Sequence, residues 1–82
     1  MENLPARKGG YFAVTERSNF AKRLRQLRKS KHMTLRVMAD FCELSKSTLW
    51  RYENGEAEPS TSDIVRLADF FEVSTDYLLG KK

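Results

Sequence analysis

Apolar residues recur along this chain at helical spacing, and nowhere do they alternate in strand fashion. Phe20, Leu24 and Leu27 stand at i, i+4 and i+7, a stripe on one face of a helix. They predict a first helix from Asn19 to about Lys31, capped by Ser18 or Asn19. A second helix starts at Thr34, whose hydroxyl caps Leu35 onward, and ends near Cys42, with Met38, Ala39 and Cys42 as its inner stripe. Ser45 opens a third helix, which Gly55 stops in the left-handed position past its end. A fourth runs from the approximate capping box Ser60-x-x-Asp63 to about Phe71, burying Ile64, Leu67, Ala68 and Phe71. Ser74 caps a short fifth helix anchored by Tyr77, Leu78 and Leu79 and stopped at Gly80. The fold class is therefore all-α, a bundle of five helices. Two junctions echo each other: FCELS at 41–45 and FFEVS at 70–74 both read aromatic, apolar, Glu, aliphatic, Ser. We read this as convergent turn chemistry.

The third helix divides into two faces. In SKSTLWRYENG, residues 45–55, Leu49 and Tyr52 share a face with Ser45 and part of Thr48. Lys46, Ser47, Trp50, Arg51 and Asn54 share the other. A tryptophan thus falls among polar residues, on the side that faces water.

Charge sharpens this picture more than composition does. With 82 residues, a net charge of +4 and 40% hydrophobic residues, the chain is one small globular domain without a membrane span. Its charges are segregated. From Arg17 to Arg36 the bases run without an acid; from Glu53 to Asp76 seven acids face Arg66 alone. Such asymmetry favours an oriented, acidic partner. Residues 1–17 read as a partly flexible arm, residues 18–80 as the folded domain, and 81–82 as a tail. Within the arm, Tyr11, Phe12 and Val14 are apolar enough to dock. The start MENLPARKGG is no signal peptide. The single Cys42 suits a reducing cytoplasm, and one His with one Cys leaves no zinc set. There is no Gly-rich phosphate loop and no nucleophile–base constellation, so we expect no enzyme and no cofactor.

The segments FAKRLRQLRKSKHMT (20–34), MA (38–39), LSKSTLWRYENG (44–55), PS (59–60) and VSTDYLLG (73–80) together resemble the phage repressor and Cro family of helix-turn-helix proteins, the XRE type. The resemblance spans Phe20 to Gly80. It implies a lambda-repressor-like five-helix bundle in which the second and third helices form the helix-turn-helix and the third enters the major groove of double-stranded DNA. It implies that Lys46, Ser47, Trp50 and Arg51 read bases. It places phosphate contacts at the start of the second helix, with Thr34, Leu35 and Arg36, and at Asn54. Leu35 stands where many relatives carry Gln, so only its backbone N–H serves there, with Arg36 supplying charge. Arg28 and Glu53 match a partly buried ion pair that ties the first helix to the third. The implied function is a sequence-specific transcriptional regulator, of the repressor kind, in the bacterial or phage-infected cytoplasm and on the nucleoid when bound. It would act as a homodimer on a palindromic operator, with recognition helices roughly 34 Å apart. Tyr77 and Leu78 of the last helix, with the preceding loop, are the candidate self-contact.

The sequence departs from the family pattern in places. Glu43 and Glu72 stand where relatives often carry Gly, which leaves two options: strained left-handed residues or turns of another shape. Glu56 and Glu58 follow Gly55 where relatives are often basic; either that loop is held off DNA or binding is weakened. Val37 and Phe41 lie four apart on the second helix at positions usually polar, a candidate docking patch for the arm or for a partner chain. Two further readings stay open: an antitoxin of a toxin–antitoxin pair, and a helical protein-interaction module without DNA binding. A complete small regulator and an N-terminal domain of a longer one both fit the length.

Overall fold

The computed structural model describes residues 14–81, with side chains from Asn19 on. Five helices follow in order: α1 (Val14–Ser30), α2 (Leu35–Phe41), α3 (Lys46–Glu53), α4 (Thr61–Phe71) and α5 (Thr75–Leu78). No strand occurs among the described residues. α3 packs on α1 and α2, and α5 on α4 and α1. The core lies between them, built from Phe20, Leu24, Met38, Cys42, Leu49, Tyr52, Leu67, Phe71 and Leu78. Helix α1 begins at Val14 rather than at Asn19. The caps expected at Ser18 or Asn19 are therefore helix interior. Tyr11 and Phe12 lie outside the described residues, as does any docking of the arm.

Every helix from α2 to α5 starts the same way. Thr34, Ser45, Ser60 and Ser74 sit in extended backbone, and each hydroxyl accepts from the N–H three residues on. The distances are 3.2 Å from Val37, 3.0 Å from Thr48, 3.1 Å from Asp63 and 2.9 Å from Tyr77. Each such cap contributes about 1 kcal/mol. The capping box expected at Ser60 is only half made. Asp63 does not reach back to Ser60; its carboxylate accepts the Tyr52 hydroxyl at 2.6 Å, which clamps α4 onto α3.

The helix ends are equally uniform. His32, Glu43, Gly55, Glu72 and Gly80 all have positive φ, between 57° and 79°. In each case the next N–H reaches back five residues, the Schellman closure. Met33 N–H donates to Arg28 O at 3.3 Å, Leu44 to Ala39 at 2.9 Å, Glu56 to Arg51 at 2.9 Å, Val73 to Ala68 at 3.0 Å and Lys81 to Asp76 at 2.9 Å. The Glu43 and Glu72 turns thus keep the left-handed shape without glycine. The FCELS and FFEVS echo is now explained: Glu is the left-handed residue, Leu44 or Val73 the apolar plug, and Ser the next cap. His32-Met33-Thr34 is a third copy, unrecognised in the sequence because His replaced Glu.

Two outcomes test this architecture. Gly80 has φ +79°, and an added Cβ would stand 2.8 Å from Asn19 Cβ, whereas one added at Gly55 meets nothing within 4 Å. Gly80→Ala should therefore lower the thermal midpoint more than Gly55→Ala, although both pay left-handed strain. The second concerns Tyr52, whose phenol burial and the bond to Asp63 push up to about 12 from 10.0. The folded pKa exceeds the unfolded one, so this contribution to stability is complete below pH 10 and lost as pH rises to about 12. Denaturation midpoints across that window should fall for the native chain and fall less for Tyr52→Phe.

Candidate nucleic-acid interface

Helix α3 is short, and its inner face is fully used. Leu49, Tyr52 and Glu53 are buried. Phe20 meets the Tyr52 ring edge-on, with centroids 5.7 Å apart. The outer face carries Lys46, Ser47, Trp50, Arg51 and Asn54, all exposed. Trp50 keeps 46% of its surface, far more than an indole retains in a core. Lys46, Ser47, Trp50 and Arg51 line a depression of about 430 Å³, together with Glu56.

Glu56 shares this outer face. Its backbone N–H closes the end of α3 on Arg51 O, so the residue is fastened beside the exposed side chains. No ion pair joins Glu56 to Lys46 or Arg51. The carboxylate stands near the two cations as an unpaired acceptor.

What fixes the angle of α3 is a set of charge-assisted bonds from α1. Arg28 Nε donates to Glu53 Oε2 at 2.7 Å and Nη2 to Oε1 at 3.0 Å. This is the two-pronged geometry that suits guanidinium to carboxylate. The third nitrogen, Nη1, donates to Met33 O at 2.8 Å, in the turn leading to α2. One side chain therefore joins α1, the α1–α2 turn and α3. Glu53 is only 3% exposed. The hydrogen bond to Glu53 is also the main cause that raises the Arg28 pKa. Arg25 was missed in the sequence. Its Nη2 donates to Glu53 O at 2.8 Å, satisfying a carbonyl at the end of α3. The available signal was its position, one turn before Arg28 on the same face.

The remaining residues singled out in the sequence divide by contact. Thr34 and Arg36 are exposed at the start of α2, while Leu35 packs against the core. A leucine at that position thus serves the interior, and the first N–H groups of α2 remain without intrahelical acceptors. Asn54 donates one amide N–H to Trp50 O at 2.8 Å, so part of its capacity closes α3 rather than facing outward. Leu78 is fully buried and Tyr77 lies under Arg23, whose guanidinium carbon is 4.3 Å from the ring centroid. Leu78 is therefore spent within the chain and not available for the expected self-contact, while Tyr77 stays half-buried. Val37 and Phe41 are exposed, Phe41 by 67%, although its ring stacks on Phe70 at 6.1 Å. Among the described residues no group of acids, His and Cys is placed to hold a metal ion, and no helix is long and apolar enough to cross a membrane.

Comparison with known proteins agrees with this geometry. A family model described as a helix-turn-helix domain matches residues 19–78. The HTH-type transcriptional regulator AnsR of Bacillus subtilis is 42% identical over 60 residues, covering 73% of this chain and 52% of AnsR. The transcriptional repressor RstR of the cryptic phage CTXphi, in Vibrio cholerae, is 37% identical over 59 residues, with 72% and 53% covered. The chain thus spans about half the length of the curated relatives it matches. Among solved structures, the restriction-modification controller protein C.AhdI of Aeromonas hydrophila superposes with a TM-score of 0.72 at 26% identity. That match covers 78% of this chain and 97% of C.AhdI.

The ion pair yields a direct prediction. Arg28→Ala leaves the Glu53 carboxylate buried with only Arg25 near it, at 3.8 Å. We expect a loss of roughly 3–5 kcal/mol in unfolding free energy, typical of breaking a buried pair from one side, measured by urea denaturation.

Proposed function

Since the chain belongs to the helix-turn-helix domain family, in its phage repressor and Cro-like branch, we propose that it is the DNA-binding part of a transcriptional regulator, most simply a repressor. The observation that carries this reading is the outward face of α3, where Lys46, Ser47, Trp50 and Arg51 surround one depression on a helix anchored from behind. A helix so anchored can enter a major groove as a rigid probe. Arg51 offers a fork to guanine O6 and N7, and Lys46 a point charge to the same atoms. Each good pairing of the forked kind discriminates by roughly 1–3 kcal/mol. Ser47 bonds a base edge or a phosphate. The Trp50 indole covers a thymine methyl or sugar edge, its N–H turned to a phosphate oxygen. Thr34, Arg36, the backbone of Leu35 and the free amide N–H of Asn54 position the duplex through its phosphates.

A homodimer on a palindromic operator, in the cytoplasm and at the nucleoid, completes the proposal. Its dimer contact is not Leu78 but another surface. Nothing in this scheme calls for catalysis. The exposed Val37 and Phe41 side chains favour a second reading, in which α2 also receives a protein partner, as an antitoxin or an interaction module would.

The test is selection of preferred sites from a random duplex pool, with affinity followed against salt. We expect an enriched two-part site and a steep loss of affinity with salt. Arg51→Ala should relax the preference at one position per half-site. Glu56→Gln should tighten binding to all duplexes, since it removes an acid from the contact face. No enriched site and no salt dependence would move the assignment to a protein-interaction module.

A further inference from the structure

A second depression, of about 490 Å³, lies on the other side of the α3 C-terminus. One wall is α1, which presents Lys22, Arg25, Gln26 and Lys29. These stand at i, i+3, i+4 and i+7, a single face of the helix. The floor includes Glu53, Asn54 and Gly55. Among the described residues Glu53 is the only acid lining the cleft, and Arg28 occupies both its oxygens. Arg25 is fastened to Glu53 O. Lys22 and Lys29 are exposed, and neither has an ion-pair partner among the described residues. The cleft is thus electropositive with two uncommitted ammonium groups, beside amide groups of Asn54 and Gln26.

Its place beside α3 indicates what it holds. Asn54 and Gly55 form its floor, while Arg51, one turn earlier, and Glu56, the next residue, line the depression of the outer face. The two sites share one helix end. From Lys22 to Lys29 the row is about 10 Å long at 1.5 Å per residue, long enough for the two ammonium groups to meet different backbone phosphates. We propose that this cleft is a phosphate seat for DNA, in which Lys22 and Lys29 bind backbone phosphates beside the groove that α3 enters, without reading sequence. Gln26 and Asn54 supply neutral donors, and Arg25 is the fixed wall between the lysines. The proposal rests on the DNA-binding reading above.

The experiment compares the salt dependence of duplex binding for the native chain, the double variant Lys22→Ala/Lys29→Ala, the double variant Lys22→Arg/Lys29→Arg, and Arg66→Ala. Arg66 lies on α4 and outside the cleft. Each lost phosphate contact should reduce the slope of log affinity against log salt by about 0.9. The alanine pair should therefore lose about 1.8, equally on enriched and random duplexes, with its preferred site unchanged. The arginine pair should keep the native slope, and Arg66→Ala should fall short of the loss per lysine. Native binding with an unaltered slope in the alanine pair overturns the phosphate seat and leaves the DNA-binding reading standing. A changed preferred site in the alanine pair also overturns it, since the lysines would then read bases. Absence of salt-dependent binding by the native chain removes the DNA-binding reading, and the seat with it.

Discussion

One buried carboxylate organises this bundle. Glu53 sits at the end of α3 with almost no contact with water. Left alone there, its charge would cost several kcal/mol. Arg28 offsets that cost by meeting both oxygens, and its remaining donor holds the turn into α2. The helix that carries the exposed tryptophan therefore cannot tilt without unpairing a buried charge. Hydrophobic contacts at Leu49 and Tyr52 press α3 inward, but they are non-directional. The guanidinium fork supplies the direction.

Around that anchor the chain repeats one local device. A helix ends on a left-handed residue, an apolar side chain plugs the core, and a hydroxyl opens the next helix. It occurs at His32-Met33-Thr34, Glu43-Leu44-Ser45 and Glu72-Val73-Ser74. Each copy satisfies orphan groups of two helices within three consecutive residues. Non-glycine residues at φ 57° are strained by about 1–2 kcal/mol each. The reward is a backbone with fewer unfolded states than glycine would allow.

Much of this was legible in the sequence because it is local. Ser or Thr before an apolar stripe announces a cap, and Asn-Gly announces a stop; both depend on residues within one turn. The two faces of α3 follow from period alone. What escaped was long-range or substitutable. Arg25 reaches a carbonyl across 28 positions; its spacing from Arg28 marks the shared face but not the acceptor. Asp63 had a local partner within reach in Ser60 and chose Tyr52, since burying that phenol requires an acceptor. Leu78 read both as an anchor of α5 and as part of a self-contact, because a four-residue helix is too short for a stripe to show which side faces in; it is the anchor. The start of α1 at Val14 escaped because Ser18-Asn19 resembles a cap.

The turn device also decides where this chain can grow. At three junctions the left-handed residue, plug and cap are consecutive, so one inserted residue would displace all of them and rotate the following helix out of register. The α3–α4 junction is different. There the position after the left-handed Gly55 is the exposed Glu56, and the core contact is deferred to Ala57 and the buried Pro59 before Ser60 caps α4. An insertion beside Glu56 therefore disturbs less of the bundle than one at the three other junctions. That point borders both the outer face of α3 and the lysine cleft, so an added residue there would alter partner contacts before it altered the core.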